Sequence, residues 1–282
     1  MNLVVFGEDM YTAAVVQSLV QAGHKISLMI APDNPNTNFK VLEETSGKFN
    51  LEFIKAENIN SEKIKERILK VNPDLIIAAH LRKLLRKEIF SIAAKGAINI
   101  HPSLLPKYRG LSPQHQALIH GDEESGVTVH FIDEYIDTGE IILQKKFPIL
   151  KEDYIIDVQT KMLNIYKEIV VEAVNLLADG NFKPIKQDLA TLSYFGPLKK
   201  SDREIQLSMS KKEAYNLIRA VSLPYKGAFY KNYTIYRSSI IEDQAELENK
   251  YPEIGLYPEG TGDKIIIRLK DGFLVSDDFE IN

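Results

Sequence analysis

Five short apolar runs punctuate the N-terminal third of the chain, and their spacing leaves few folds open. Leu3-Val4-Val5-Phe6, Lys25 to Ala31, Leu51 to Ile54, Asp74 to Ala79, and Ala97-Ile98-Asn99-Ile100 have the length and β-branched content of buried strands. The segment ending at Gln21 carries Ala13, Val16, Leu19 and Val20 at helical spacing and closes at Gly23. A second helix is predicted from Ser61 to Val71, with Ile64, Ile68 and Leu69 on one side, and a third from Leu84 to Ala94. Strands and helices joined this closely form right-handed parallel units. Their repetition predicts a doubly wound, Rossmann-like parallel sheet, whose ligands lie beyond the carboxyl ends of the strands. After the first strand the sequence is Phe6-Gly7-Glu8-Asp9-Met10, with no second or third glycine to cradle a dinucleotide, and no GxxxxGK[ST] occurs anywhere. Gly7 then reads as a plain turn glycine.

Further along, Val127 to Asp133 is predicted as a strand that runs out into Tyr135-Ile136-Asp137-Thr138-Gly139, and a strand beyond it ends at Pro148. Tyr154 to Ala178 reads as a long helix, with Val158, Met162, Ile165, Ile169 and Leu176 along one side and Gly180 past its end. Pro184, Gly196 and Pro197 mark the stretch 181–200 as a linker. Ser210 and Glu213 have the form of a capping box, opening a helix with Ala214, Leu217, Ile218 and Val221 on its apolar side. After Pro224 the texture turns to β, including Asp271-Gly272 as a hairpin turn. The expected fold class is α/β: a domain over 1–180, the linker, and a small C-terminal β-rich domain over 201–282, a helix plus a barrel-like sheet.

A net charge of −4 argues against the basic face that a phosphate backbone needs. With no cysteine, disulfides and thiolate chemistry are excluded. The N-terminus lacks a basic segment ahead of a long apolar core, and no apolar run approaches the ~20 residues of a membrane helix. The expectation is a cytoplasmic protein.

Asn99 and His101 are two positions apart, so strand alternation points both to one face. Pro102, Pro106, Gly110 and Pro113 then fix a non-helical path. With Asp137, these residues bring an amide, an imidazole and a carboxylate to a sheet edge. Attack on a carbonyl creates an oxyanion and demands proton transfers, so the three suit acyl or formyl transfer to an amine. Asn99 can donate to the oxygen. His101 can donate if protonated or accept the amine's proton if neutral, while Asp137 can hold the ring. Each also has an ordinary use: a strand-end hydrogen bonder, a residue before a proline, an Asp-Thr-Gly turn. His101, His115 and His120 match no recognised metal spacing. Asn216 and Arg219 stand one helical turn apart, read either as lining a domain interface or as meeting the substrate.

The motif Asn99-x-His101-Pro102-Ser103-Leu104-Leu105-Pro106, with Arg109-Gly110, Gly126-Val127-Thr128 and Asp137-Thr138-Gly139, resembles the signature of the folate-dependent formyltransferases. The resemblance implies 10-formyltetrahydrofolate as co-substrate, no metal, and Asn99, His101 and Asp137 as catalytic residues. It places the folate near Ala79, His80, Leu81 and Arg82 and near Ile132, Asp137 and Gly139. Ser103, Lys107, Tyr108 and Arg109 are the expected acceptor-binding residues, with Arg109 equally readable as a backbone brace.

Within that family, Ala214 to Ala220 followed by Pro224-Tyr225-x-Gly227-Ala228-Phe229 is most similar to the sugar-nucleotide N-formyltransferases, which act on dTDP- or UDP-linked amino sugars. Where those relatives carry an Asp-Trp pair, this chain has Gln206-Leu207. The expected partner is a small-molecule nucleotide sugar, with no nucleic acid and no membrane, and a homodimer follows by analogy. Two alternatives stand beside it: formylation of methionyl-tRNA, and a non-catalytic folate- or nucleotide-binding module.

Overall fold

The computed structural model describes residues 1–180, 182–260 and 262–282, so that Asn181, where the expected linker begins, lies outside the described residues. Its elements run β1 (Asn2–Gly7), α1 (Met10–Gln21), β2 (Lys25–Pro32), α2 (Phe39–Phe49), β3 (Phe53–Ala56), α3 (Glu62–Val71), β4 (Leu75–Ala79), α4 (Lys87–Phe90), β5 (Ala97–His101) and β6 (Arg109–Gly110). There follow α5 (Pro113–Ile119), β7 (Glu124–Phe131), β8 (Ile141–Pro148), α6 (Ile155–Asp179), β9 (Tyr194–Phe195), α7 (Lys211–Val221), β10 (Ala228–Tyr230), β11 (Tyr233–Ile241), α8 (Ala245–Lys250), β12 (Gly255–Glu259), β13 (Lys264–Leu269) and β14 (Gly272–Ile281). The chain forms two compact units. One comprises Met1–Leu111, Gly126–Phe147 and Lys161–Tyr194, the other Ser112–Ser125, Pro148–Thr160 and Phe195–Asn282.

The first unit is built on a seven-stranded sheet in the order β3-β2-β1-β4-β5-β7-β8. The pairs from β3 to β5 are parallel, whereas β7 runs antiparallel to β5. The antiparallel sense lets β7 pair with β5 without a right-handed βαβ crossover, although α5 lies in the connection. On one face Val4, Phe6, Leu28, Ile30 and Ile76 pack with Ile64 and Ile68 of α3. Gly7 has a steric reason beyond turning: a Cβ there would lie 2.4 Å from the carbonyl oxygen of Ala79. Thr12 fills that corner, its Oγ1 donating to the same carbonyl at 2.8 Å.

Two helix expectations differ. The sequence reading passes from the second strand to the third without a helix, but α2 stands between them, opened by Asn38, whose side chain accepts from the Val41 N–H. The helix expected from Leu84 to Ala94 shrinks to the single turn of α4. Ahead of it Asn60 takes one helical acceptor: its Nδ2 donates to the Leu84 carbonyl at 2.9 Å, while its Oδ1 accepts from the Arg86 N–H at 2.8 Å. That carbonyl is thereby withdrawn from helical bonding, and the stretch ahead of α4 is not helical.

In the second unit, an antiparallel sheet in the order β10-β11-β14-β13-β12 packs against α7. The Ser210–Glu213 capping box forms as expected, and Ala214, Leu217, Ile218 and Val221 are buried. Arg219 is buried as well. Its Nη1 donates to the carbonyls of Leu150 and Asp153 at 3.1 and 2.9 Å, and its Nη2 to Asn216 Oδ1 at 2.7 Å. These bonds lie within the second unit. Among the described residues, no helix is long and apolar enough to cross a membrane.

Candidate active site

The antiparallel register of β5 and β7 sets Asn99 opposite His130 and His101 opposite Thr128. Directly opposed residues share a face, so alternation brings Asn99, His101 and His130 together. Asp137 reaches them from the turn after β7. Its Oδ1 accepts from Asn99 Nδ2 at 3.3 Å, and its Oδ2 accepts from the Gly110 N–H at 2.8 Å. His101 Nδ1 stands 3.5 Å from Asp137 Oδ2, and His130 Nε2 stands 3.6 Å from Oδ1. The structure therefore gathers all three residues expected to be catalytic and adds His130, which the sequence reading left inside a strand.

Hydrogen bonds place a proton on each ring. His130 Nδ1 lies 2.7 Å from the Phe131 carbonyl, so it carries a proton, and Nε2 stands 3.1 Å from Asn99 Nδ2. His101 Nε2 donates to the Tyr108 carbonyl at 2.9 Å. In the neutral ring, its Nδ1 lone pair then faces the Asp137 carboxylate. Burial pushes the His101 pKa down, against the upward pull of Asp137. For Asp137, burial pushes the carboxyl up, but His101, His130 and the Gly110 N–H together hold it well below the usual carboxylate range. Asp137 Oδ2 and His101 Nδ1 face each other at 3.5 Å, with room for one proton between them.

A cavity of about 360 Å³ adjoins this cluster, lined by Asn99, His130 and Asp137, by the apolar Leu81, Leu84, Leu85, Phe90 and Ile132, and by the acidic Glu88, Asp133 and Glu134. Lys83, Arg86 and Lys87 also line it. His101 is only 4 % exposed and stands behind Asp137. Of the residues expected around the folate, Leu81, Ile132 and Asp137 line the cavity. The others do not. Ala79 is fully buried, and His80 Nδ1 is 2.6 Å from Asp9 Oδ2. The Arg82 N–H donates to Glu8 Oε1 at 2.9 Å. Gly139 passes so close to β7 that a Cβ would sit 1.8 Å from the Phe131 carbonyl oxygen.

None of the four residues expected at the acceptor lines the cavity. Ser103 is buried with its Oγ donating to the Lys107 carbonyl at 2.6 Å, and Lys107 is exposed. Tyr108 contributes its backbone to His101. Arg109 is buried, and its Nε and Nη2 donate to Gln187 Oε1 at 3.2 and 2.6 Å, which is the brace reading of this arginine.

An amide, two imidazoles and a carboxylate gathered at the edge of a doubly wound sheet, beside a cavity, are the equipment of an enzyme that transfers a carbonyl-bearing group. The sequence comparisons then place the chain: it belongs to the formyl transferase family, whose profile matches residues 1–174, with the family's C-terminal domain matching residues 197–280. It is 30% identical to the methionyl-tRNA formyltransferase of Caldicellulosiruptor saccharolyticus, over 97% of this chain and 90% of that one. To the methionyl-tRNA formyltransferase of Fusobacterium nucleatum it is 28% identical, over 98% and 90%. Among solved structures, an N-formyltransferase from Helicobacter canadensis, in complex with folinic acid and dTDP-3-aminofucose, shares the fold. It has a TM-score of 0.77 and 19% identity over 99% of both chains. The chain is a formyltransferase.

Proposed function

We propose that the enzyme moves a formyl group from 10-formyltetrahydrofolate to the amine of a dTDP- or UDP-linked amino sugar. The donor supplies a formyl carbon already bonded to a nitrogen that can leave. The cavity suits its ring system: apolar side chains for a flat heterocycle and the Asn99 amide for the formyl group. In this reading Asn99 Nδ2 turns to the formyl oxygen and stabilises the charge that develops there. Asp137 and the Nδ1 of His101 take the proton released by the attacking amine and return it to the departing nitrogen. One C–N bond forms, one breaks, and the proton passes between the two nitrogens. His130 orients the Asn99 amide. Ser103, Lys107, Tyr108 and Arg109 shape the acceptor side through the loop they build.

Charge carries the choice of acceptor. Residues 201–282 hold 11 Lys and Arg against 14 Asp and Glu, and one of those cations, Arg219, is buried on backbone carbonyls. Such a domain offers little to a tRNA backbone. The second reading, methionyl-tRNA, draws on the full-length similarity to enzymes of that name. Incubating the protein with the folate and either amino-sugar nucleotides or methionyl-tRNA, with mass spectrometry of the products, separates the two. A formylated sugar nucleotide is expected; efficient, salt-sensitive formylation of methionyl-tRNA alone would reverse the assignment. The expected cytoplasmic homodimer is tested by sedimentation.

A further inference from the structure

Tyr108 and Asp137 both hold left-handed backbone, with φ of 60° and 53°, conformations that residues with a side chain rarely adopt. One stretch of chain grips both. Ile185 exchanges two backbone hydrogen bonds of 2.8 Å with Ile141. Gln187 Nε2 donates to the carbonyls of Asp137 and Gly139 at 2.9 and 2.8 Å, while its Oε1 receives the Arg109 guanidinium. Ser193 completes the ring: its Oγ accepts from the Tyr108 N–H at 2.8 Å and its carbonyl from the Arg109 N–H at 2.9 Å. The same short loop gives His101 its acceptor, the Tyr108 carbonyl, and Asp137 its donor, the Gly110 N–H.

We infer that Gln187, supported by Ser193, is a positioning residue that sets the distance between His101 and Asp137 from outside the strand and the turn that carry them. The inference rests on the roles proposed above for those two residues. Apolar burial does not hold the stretch in place, since Ile185, Leu189 and Leu192 are 63%, 66% and 45% exposed. Its polar anchors do. The side-chain type matters too, because only an amide offers two N–H donors for the two carbonyls and an oxygen for Arg109. Glutamate keeps the partner for Arg109 and loses both donors.

The test uses the full chain with Gln187→Ala, Gln187→Glu and Ser193→Ala. In Gln187→Ala, released Asp137 no longer pulls the His101 pKa upward, so NMR titration of the ring should move down, a readout that needs no substrate. Turnover should fall roughly 10- to 100-fold through kcat, as misplacement of reacting groups does, with the folate KM and melting temperature little changed. Gln187→Glu should fail as Gln187→Ala does. Rescue by glutamate, or an unmoved His101 titration with normal kcat, overturns the inference. Should Gln187→Ala unfold, Ser193→Ala, which deletes one bond to Tyr108, carries the same expectations in smaller degree, and normal kcat there with normal titration overturns it. His101→Ala separates the two claims: if it turns over normally the proposed roles fail, and if it is inactive while Gln187→Ala is unaffected only the positioning claim fails.

Discussion

Two aspartates stand beside histidines at the carboxyl edge of the same sheet, and the tighter contact is not the one at the cavity. His80 Nδ1 lies 2.6 Å from Asp9 Oδ2, against 3.5 Å for His101 and Asp137. Asp9 also caps α1, its Oδ1 accepting from the Tyr11 N–H at 3.0 Å, and the His80 ring packs 4.7 Å from that of Tyr11. Burial pushes the Asp9 carboxyl up, but the charge and hydrogen bond of His80 hold it below its ordinary value. In that pair both carboxylate oxygens are engaged, one by His80 after β4 and one by the start of α1. The looser pair keeps a lone pair facing a carboxylate, and its aspartate touches the cavity. A short contact reports a satisfied pair; reactivity needs a proton site left open.

The comparison breaks most plainly at His101. His101→Ala and Asp137→Asn should each lower turnover roughly 10²- to 10⁴-fold, the range of general acid–base catalysis, with folate binding by calorimetry largely retained. Because the ring must be neutral to accept a proton and burial lowers its pKa below 6.5, turnover should fall as pH drops, with the acid limb below that value. An acid limb unchanged in an active His101→Asn variant would assign the titration to another group.

His115 sharpens the comparison from the other unit, as a buried imidazole with no carboxylate at all. It is 7% exposed, its Nδ1 has no hydrogen-bond partner, and its ring meets Tyr225 edge-on. Burial pushes its pKa down to about 4. Above the unfolded value of 6.5 both states are neutral and pH does nothing. As pH falls from 6.5 toward 4, only the unfolded chain gains the proton, so stability declines, by up to about 3 kcal/mol, and then levels off. Denaturant melts of the wild type and His115→Phe across that window should show the steeper decline in the wild type, since His101, whose pKa burial also lowers, still contributes in the variant. At the cavity, His130→Ala should reduce kcat roughly 10-fold by freeing the Asn99 amide, the scale of one lost orienting hydrogen bond.

What the sequence made legible follows from local physics. Parallel strands buried on both faces read as continuous apolar runs, so β1, β2, β4 and β5 stood out, and the Ser210 capping box announced α7. Asn99 and His101 could be set on one face by alternation alone. His130 could not, because its place opposite Asn99 depends on which strand β7 pairs with and in what register. The one available signal was that Thr128 and His130 alternate with Val127 and Val129, which marks a polar face without saying what it meets. Gln187 lies in an irregular, proline-marked stretch with no periodicity, and Asn60 acts on Leu84 and Arg86 across 24 and 26 positions of sequence. Such side chain to backbone bonds at long range leave no local pattern.

The smallest effect expected is at Asp9, and it is the one that most directly tests the distinction between the pairs. Asparagine can keep the cap to Tyr11 while losing the charge that faces His80, whereas alanine loses both. Asp9→Ala should therefore cost about 1 kcal/mol, typical of a lost helix cap, and Asp9→Asn less, with turnover of both within about twofold of the wild type by the same assay, since neither changes a cavity wall. Because the pairing with His80 holds the carboxyl below 3.8, the difference between wild type and Asp9→Asn should be present above that pH and vanish as pH falls through the folded value. A loss of turnover in Asp9→Asn comparable to that of Asp137→Asn would mean that the two pairs act together, and that a filled hydrogen-bond inventory does not keep a histidine out of the chemistry.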